Sequence, residues 1–122
     1  HLIRAGLESI AYQVREVVDL MQQSGIKLDS LRADGGAAAN EFLMQFQADI
    51  LNVEVTRPPI REVSALGAVY LAGLGVGFWR DTEEIAAAWE AEKKFRPQMP
   101  EAERAELFRQ WQAAVQRTLN RN

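Results

Sequence analysis

Gly36 and Asn40 are the residues whose types and spacing suit recognition of a ligand. They stand in Leu31-Arg32-Ala33-Asp34-Gly35-Gly36-Ala37-Ala38-Ala39-Asn40, where an alternating strand signal over residues 31–34 meets two glycines and then a helix pattern. Glycines at 35 and 36 remove two side chains where the backbone must turn sharply or let something approach closely. Such a strand-to-helix turn leaves unpaired N–H groups and the positive end of a helix dipole with nothing above them, a nucleotide-sized opening. With a helix starting near Ala37, Asn40 falls in its first turn on the same side as Gly36. Gly36 then lets a flat base or ribose rest on the main chain, and Asn40 offers both a donor and an acceptor, as adenine or a ribose hydroxyl requires. A plain tight turn followed by a solvent-facing Asn fits the same residues.

Two further side chains have double readings. Asp34 ends a strand, where α/β sheets bind ligands, so it can meet a hydroxyl or a metal; equally it can satisfy N–H groups of the turn that follows. Arg57, just ahead of Pro58, can approach a phosphate or form an ordinary surface ion pair. No catalytic base emerges. Asp29, Asp34, Asp49 and the several Glu have neither a paired partner nor metal-ligand spacing, and no Gly-rich loop with Lys and Ser/Thr is present to hold a triphosphate. His1 is the single histidine and there is no cysteine, which excludes histidine-based metal sites, a Ser-His-Asp arrangement, a thiolate nucleophile and disulfides within the chain. Lack of cysteine is compatible with the cytosol.

The elements that must position this turn follow from periodicity. Residues 2–22 carry Ile3, Leu7, Ile10, Val14, Val17, Val18 and Met21 as one stripe of a long helix, ended by Ser24-Gly25. A second helix runs from Ala37 to about Leu51, and Val53 to Thr56 reads as a strand halted by Pro58-Pro59. Strand, helix, strand with short links predicts two parallel strands joined by a crossover, with the first helix on one face and more strands needed at the edges. A third helix after Arg61-Glu62 is small on nearly every side, which implies tight backbone contacts around Gly67, Gly73, Gly75 and Gly77. Gly73 to Gly77 resembles a dinucleotide fingerprint only superficially, since no strand precedes it. The uncharged run from Val63 to Trp79 is short for a membrane span and reads as a buried helix. Asp81 and Glu84 mark a helix start whose apolar side is Ile85, Ala88 and Trp89. Lys93 to Pro100 reads as irregular, and Glu101 to Asn120 as a last helix with Leu107, Trp111, Val115 and Leu119 on one face.

A length of 122 residues, with 48% apolar residues and a net charge of −3, describes one domain or one piece of a larger protein. It offers no basic face for nucleic acid and no polybasic membrane patch. No signal peptide opens the chain, and a terminal His1 suggests a cut in a longer protein.

The stretch LRADGGAAANEFLMQFQADIL, Leu31 to Leu51, resembles the adenosine-motif segment of the FGGY carbohydrate kinases, within the superfamily of actin, hexokinase and Hsp70. Its FLMQFQADIL part is similar to the glycerol kinase branch of that family. Arg57-Pro58 followed by Glu62 to Leu74 resembles the family's next block, and the similarity runs from about Leu2 to Phe95 before weakening beyond Pro97. The resemblance implies an α/β fold, the C-terminal part of a ribonuclease H-like ATPase domain, helix-rich with two short parallel strands. It implies a nucleotide-binding part over residues 1–80 and a C-terminal helical extension over 81–122. By residue, Gly36 and Asn40 match nucleotide contacts, while Asp34 and Gly35 match the motif without an assigned role. The implied ligands are ATP or ADP with Mg²⁺, and glycerol in the intact enzyme; the implied location is cytoplasmic. The polyol site, catalytic aspartate and phosphate loops would precede His1, so the chain alone is expected to be inactive. Its exposed edges are expected to favour a homo-oligomer. Another FGGY polyol or sugar kinase, a non-catalytic module acting through Pro97 to Arg121, and a structural domain with an idle glycine turn are the alternatives.

Overall fold

The computed structural model describes residues 1–58, 63–88 and 93–119. In chain order they form α1 (Leu2–Gln23), β1 (Ser30–Arg32), a 3-10 turn (Gly36–Ala39), α2 (Glu41–Leu51), β2 (Glu54–Arg57), α3 (Val63–Gly75), α4 (Thr82–Ala88), β3 (Lys93–Phe95) and α5 (Glu101–Leu119). The expected parallel pair is present, with Leu31 opposite Val55 and Arg32 opposite Thr56. A third strand, β3, lies antiparallel on the other side of β2, with Val55 opposite Phe95. Its segment had read as irregular because Lys93-Lys94-Phe95 is short and carries little hydrophobic alternation. Backbone pairing and charge hold it: Lys93 meets Glu41 at 2.6 Å, Arg96 meets Glu54 at 3.1 Å and Lys94 meets Glu54 at 3.5 Å.

The core is built around α2, whose Leu43, Met44, Phe46, Ala48 and Ile50 are all buried, as is Val55 of β2 beside them. α1 packs on it by only part of the expected stripe, through Leu7 and Val18, together with Ala11 and Tyr12 beside it. Ala11, Tyr12 and Val18 are buried, whereas Ile3 is 83% exposed and Val17 57% exposed. The reason is aromatic: Tyr12 lies edge-on to Phe46 at 5.5 Å and stacks on Trp111 at 5.2 Å, so α1, α2 and α5 meet through rings. Phe108 completes this cluster, and the Trp111 indole N–H donates to Glu16 at 2.9 Å. The expected face of α5 is half-buried at Leu107, Trp111 and Val115 and exposed at Leu119, and Phe108 is its buried residue.

α3 departs most from expectation. Its outer side is exposed, and a Cβ built on Gly67 or Gly75 meets nothing within 4 Å. Only at Gly73 is the backbone closely covered, by the indole of Trp79, which leaves no room for a methyl group. Helix α4 starts as expected, the Asp81 carboxylate accepting the Glu84 N–H at 2.8 Å while Glu84 accepts the Arg80 N–H at 2.9 Å. Trp89, expected on its apolar side, lies outside the described residues, as does the expected end of α5 at Asn120.

Asp49 fixes how the chain enters α5. It is 9% exposed, and its Oδ1 accepts the N–H groups of Gln98 at 2.7 Å and Met99 at 3.3 Å and the Gln45 amide at 3.0 Å. Asp49→Ala leaves those donors unmatched in a poorly hydrated place and is expected to cost about 1–3 kcal/mol, read from urea unfolding.

Hydrogen bonds from Lys93 and Arg96, respectively, hold the carboxyls of Glu41 and Glu54 below the usual carboxylate range. For a carboxylate lowered on folding, the stabilisation is present above its unfolded value and is lost as pH falls through the lowered folded value. Acid titration followed by circular dichroism should therefore show β3's attachment weakening below the ordinary carboxylate range, with a smaller acid response in Glu54→Gln. These side chains are exposed, so added salt should shrink the effect.

Candidate functional site

The turn between β1 and α2 is built from the end of the strand outward. Pairing continues one residue past β1, the Ala33 N–H donating to Thr56 O at 2.9 Å. Asp34 then folds its carboxylate back onto the Gly35 N–H, the turn-satisfying one of its two readings. Gly35 has φ +89° and ψ 177°, a conformation open essentially to glycine alone. From Gly36 the chain makes one 3-10 turn, in which the Gly35 and Ala37 carbonyls accept N–H groups from Ala38 and Asn40, both at 3.1 Å. Among the described residues the N–H groups of Gly36 and Ala37 make no backbone hydrogen bond. A Cβ on Gly35 or Gly36 meets nothing within 4 Å, so the main chain here is an open shelf.

Two anchors keep this shelf in place. Ala38 is 3% exposed and seats the turn in the core. Arg57 Nη1 donates to Ala38 O at 3.2 Å and Ala39 O at 3.4 Å, tying β2 to the carbonyl end of the turn. The described contacts thus give Arg57 a bracing role.

Asn40 is not in the first turn of a helix continuous from Ala37, as expected. It is the N-cap of α2, with φ −81° and ψ 109°, and its side-chain Oδ1 accepts the Leu43 N–H at 3.0 Å. The 3-10 turn separates the glycines from α2, and asparagine is among the strongest capping residues, so the cap takes the side-chain acceptor. Its amide nitrogen donates to nothing among the described residues and is what remains for a ligand.

A cavity of about 320 Å³ opens beyond the C-terminal ends of β1 and β2, between them and α3 and α4. Arg32, Asp34, Pro58, Leu66, Tyr70 and Thr82 are among its lining residues. Gly36 and Asn40 do not line it, so Asp34 is the one candidate that borders both places. No sequence motif signals this cavity, because its walls come from residues more than fifty positions apart; the position of Asp34 at a strand end is the only hint. Among the described residues no group of three or more His, Cys, Asp or Glu could hold a metal ion.

The model for the FGGY family of carbohydrate kinases, C-terminal domain, matches residues 1–76. Glycerol kinase of Pseudothermotoga lettingae is 58% identical over 120 residues, which are 98% of this chain and 24% of that protein. Glycerol kinase 2 of Thermotoga maritima is 57% identical over the same share of each. The chain therefore spans about a quarter of the length of the curated relatives it matches. Among solved structures, Plasmodium falciparum glycerol kinase with ADP superposes with a TM-score of 0.89 and 38% identity, covering 100% of this chain and 25% of that one. A ligand-bound xylulose kinase of Lactobacillus acidophilus, 24% identical with a TM-score of 0.80 over 98% of this chain and 25% of that one, shares the fold.

Stability measurements on three variants test the turn itself. Gly35→Ala forces an alanine into a positive-φ conformation and should cost about 1–2 kcal/mol, while Gly36→Ala, with open space and no positive φ, should stay within about 0.5 kcal/mol. Asn40→Ala should lose about 1 kcal/mol with the cap, and Asn40→Asp should retain most of it.

Proposed function

We propose, from the premise that this chain belongs to the FGGY family of carbohydrate kinases, that it forms the adenosine-holding part of an enzyme that phosphorylates glycerol with ATP. The observation that carries this reading is the bare shelf at Gly35–Gly36, braced from below by Ala38 and Arg57 and free of any covering side chain. A planar base or ribose can lie on exposed main chain only where no Cβ intervenes, and unpaired N–H groups at Gly36 and Ala37 favour the electron-rich atoms of a nucleotide. Asn40 contributes its amide nitrogen as a donor. Support for the nucleotide comes from the P. falciparum relative, described with ADP, and support for glycerol from the names of relatives at 57–58% identity.

In this reading the chain binds and orients; it does not itself move the phosphoryl group. Asp49, the most buried carboxylate described, is committed to the α5 entry, and Asp34 is folded onto its own turn. Holding the adenosine fixes where the distant γ-phosphate lies, and that positioning is a large share of what a phosphoryl-transfer enzyme supplies. Mg²⁺ would neutralise the charge developing on the phosphates, held by those phosphates, water and one or two carboxylates. Residues 1–80 serve the nucleotide and 81–122 form the helical extension. The isolated chain is inactive and associates with itself through uncovered surface, and the intact enzyme works in the cytoplasm. Among the described residues no helix is long and apolar enough to cross a membrane.

The test places this chain at the end of P. lettingae glycerol kinase in place of its own last quarter. Gly36→Val in that chimera puts a branched side chain onto the shelf without a backbone penalty. It should raise KM for ATP by about tenfold or more while leaving KM for glycerol unchanged. An unaltered KM for ATP would remove Gly36 from the nucleotide site.

A further inference from the structure

We infer that Arg57 is a positioning residue for the nucleotide: its guanidinium holds the carbonyl end of the 3-10 turn and so keeps the Gly36 and Ala37 N–H groups aimed at the ligand, without itself touching phosphate. This deepens the nucleotide reading above and rests on it. In a helical turn the N–H groups point one way along the axis and the carbonyls the other. The open N–H groups of Gly36 and Ala37 and the carbonyls of Ala38 and Ala39 are therefore opposite poles of one short turn. Arg57 Nη1 stands at the carbonyl pole, 3.2 Å from Ala38 O and 3.4 Å from Ala39 O, where a positive charge is favoured. The cap of α2 does not do this work. It starts from Asn40, whose side chain takes the Leu43 N–H and whose carbonyl takes the Met44 N–H at 3.1 Å.

The base from which Arg57 reaches is stiff. β2 is the central strand, paired with β1 on one side and on the other with β3, where Arg57 stands opposite Lys93. The guanidinium carbon lies 6.0 Å from the ring centre of Phe95, which is buried, so packing restricts the side chain as well as the backbone. Nη1 carries two N–H bonds held in the guanidinium plane, one for each carbonyl, whereas a lysine ammonium is a rotating point charge on a flexible stem. Ala38 sets how deeply the turn sits in the core, but it has no polar side chain to fix the turn's rotation. That falls to Arg57. A rotation that tilts the open N–H groups weakens binding, since a misplacement of about 1 Å can lose on the order of a hundredfold where geometry is exacting.

In the chimera with P. lettingae glycerol kinase, Arg57→Met and Arg57→Lys are compared with the parent by calorimetry against adenosine and against ADP, and by KM for ATP and for glycerol. A brace on the turn acts on the nucleoside, whatever phosphates follow it. Arg57→Met should weaken adenosine and ADP by the same factor, about tenfold, raise KM for ATP to match and leave KM for glycerol unchanged, with Arg57→Lys between it and the parent. A loss confined to ADP, with adenosine unaltered, would make Arg57 a phosphate contact and overturn the inference. A lower urea midpoint with parental dissociation constants would leave a structural tie only and overturn it too. Should Arg57→Met not melt cooperatively, Arg57→Lys is read alone: an equal loss for adenosine and ADP supports the inference, and parental values overturn it. Gly36→Val tells the two readings apart. Adenosine weakened by Gly36→Val but not by the Arg57 variants sinks the inference and leaves the nucleotide site standing, whereas parental binding in all of them removes both.

Discussion

Burial of α2 on nearly all sides is the constraint from which the rest of the arrangement follows, since seven of its eleven residues are withdrawn from water. A helix so enclosed keeps only Glu41 and Phe42 exposed, and its buried polar members must find partners inside. Gln47 does so by donating to Ala11 O of α1 at 3.4 Å, and Asp49 by accepting the N–H groups ahead of α5. The two buried polar side chains thereby become the connections that orient α1 and α5, so hydrophobic enclosure and polar specificity act through one element.

The position of the candidate site is a consequence of that enclosure. Because α2 cannot shift, its first residue and its cap are held, and the Asn40 cap transmits this to the glycine turn behind it. Arg57 reaches the same turn from β2, so the shelf is gripped from both the helix and the sheet. Between these anchors the chain turns through a positive-φ conformation that glycine adopts without strain and other residues would not. Main chain held rigid and left uncovered suits a ligand better than a flexible loop, because little ordering remains to be done on binding.

Membership of a kinase family gives the uncovered surfaces a common meaning. The shelf at Gly36, the cavity beside Asp34 and the outer side of α3 are all open in a chain about a quarter as long as its relatives. Phosphoryl transfer needs groups converging from both sides of a cleft, followed by closure that excludes water. α2 is withdrawn from water on most sides, whereas α3 leaves Val69 and Leu71 exposed.

By itself the sequence determined the local features: the long first helix and its end at Ser24-Gly25, the two parallel strands, the glycine turn, the Asp81–Glu84 helix start and the family. These rest on short-range causes, namely side-chain periodicity, capping chemistry and the freedom of glycine at positive φ. Tertiary structure decided how much of the apolar stripe of α1 is buried and that Tyr12 joins it, because that depends on Tyr12's distant ring partners. It also decided that Lys93–Phe95 is a strand, through pairing with a partner some forty residues away, and that the Asn40 acceptor is spent on a cap. Both depend on contacts between residues that no local pattern connects, and the exposure of α3 depends on what lies against it, which periodicity within the helix does not encode.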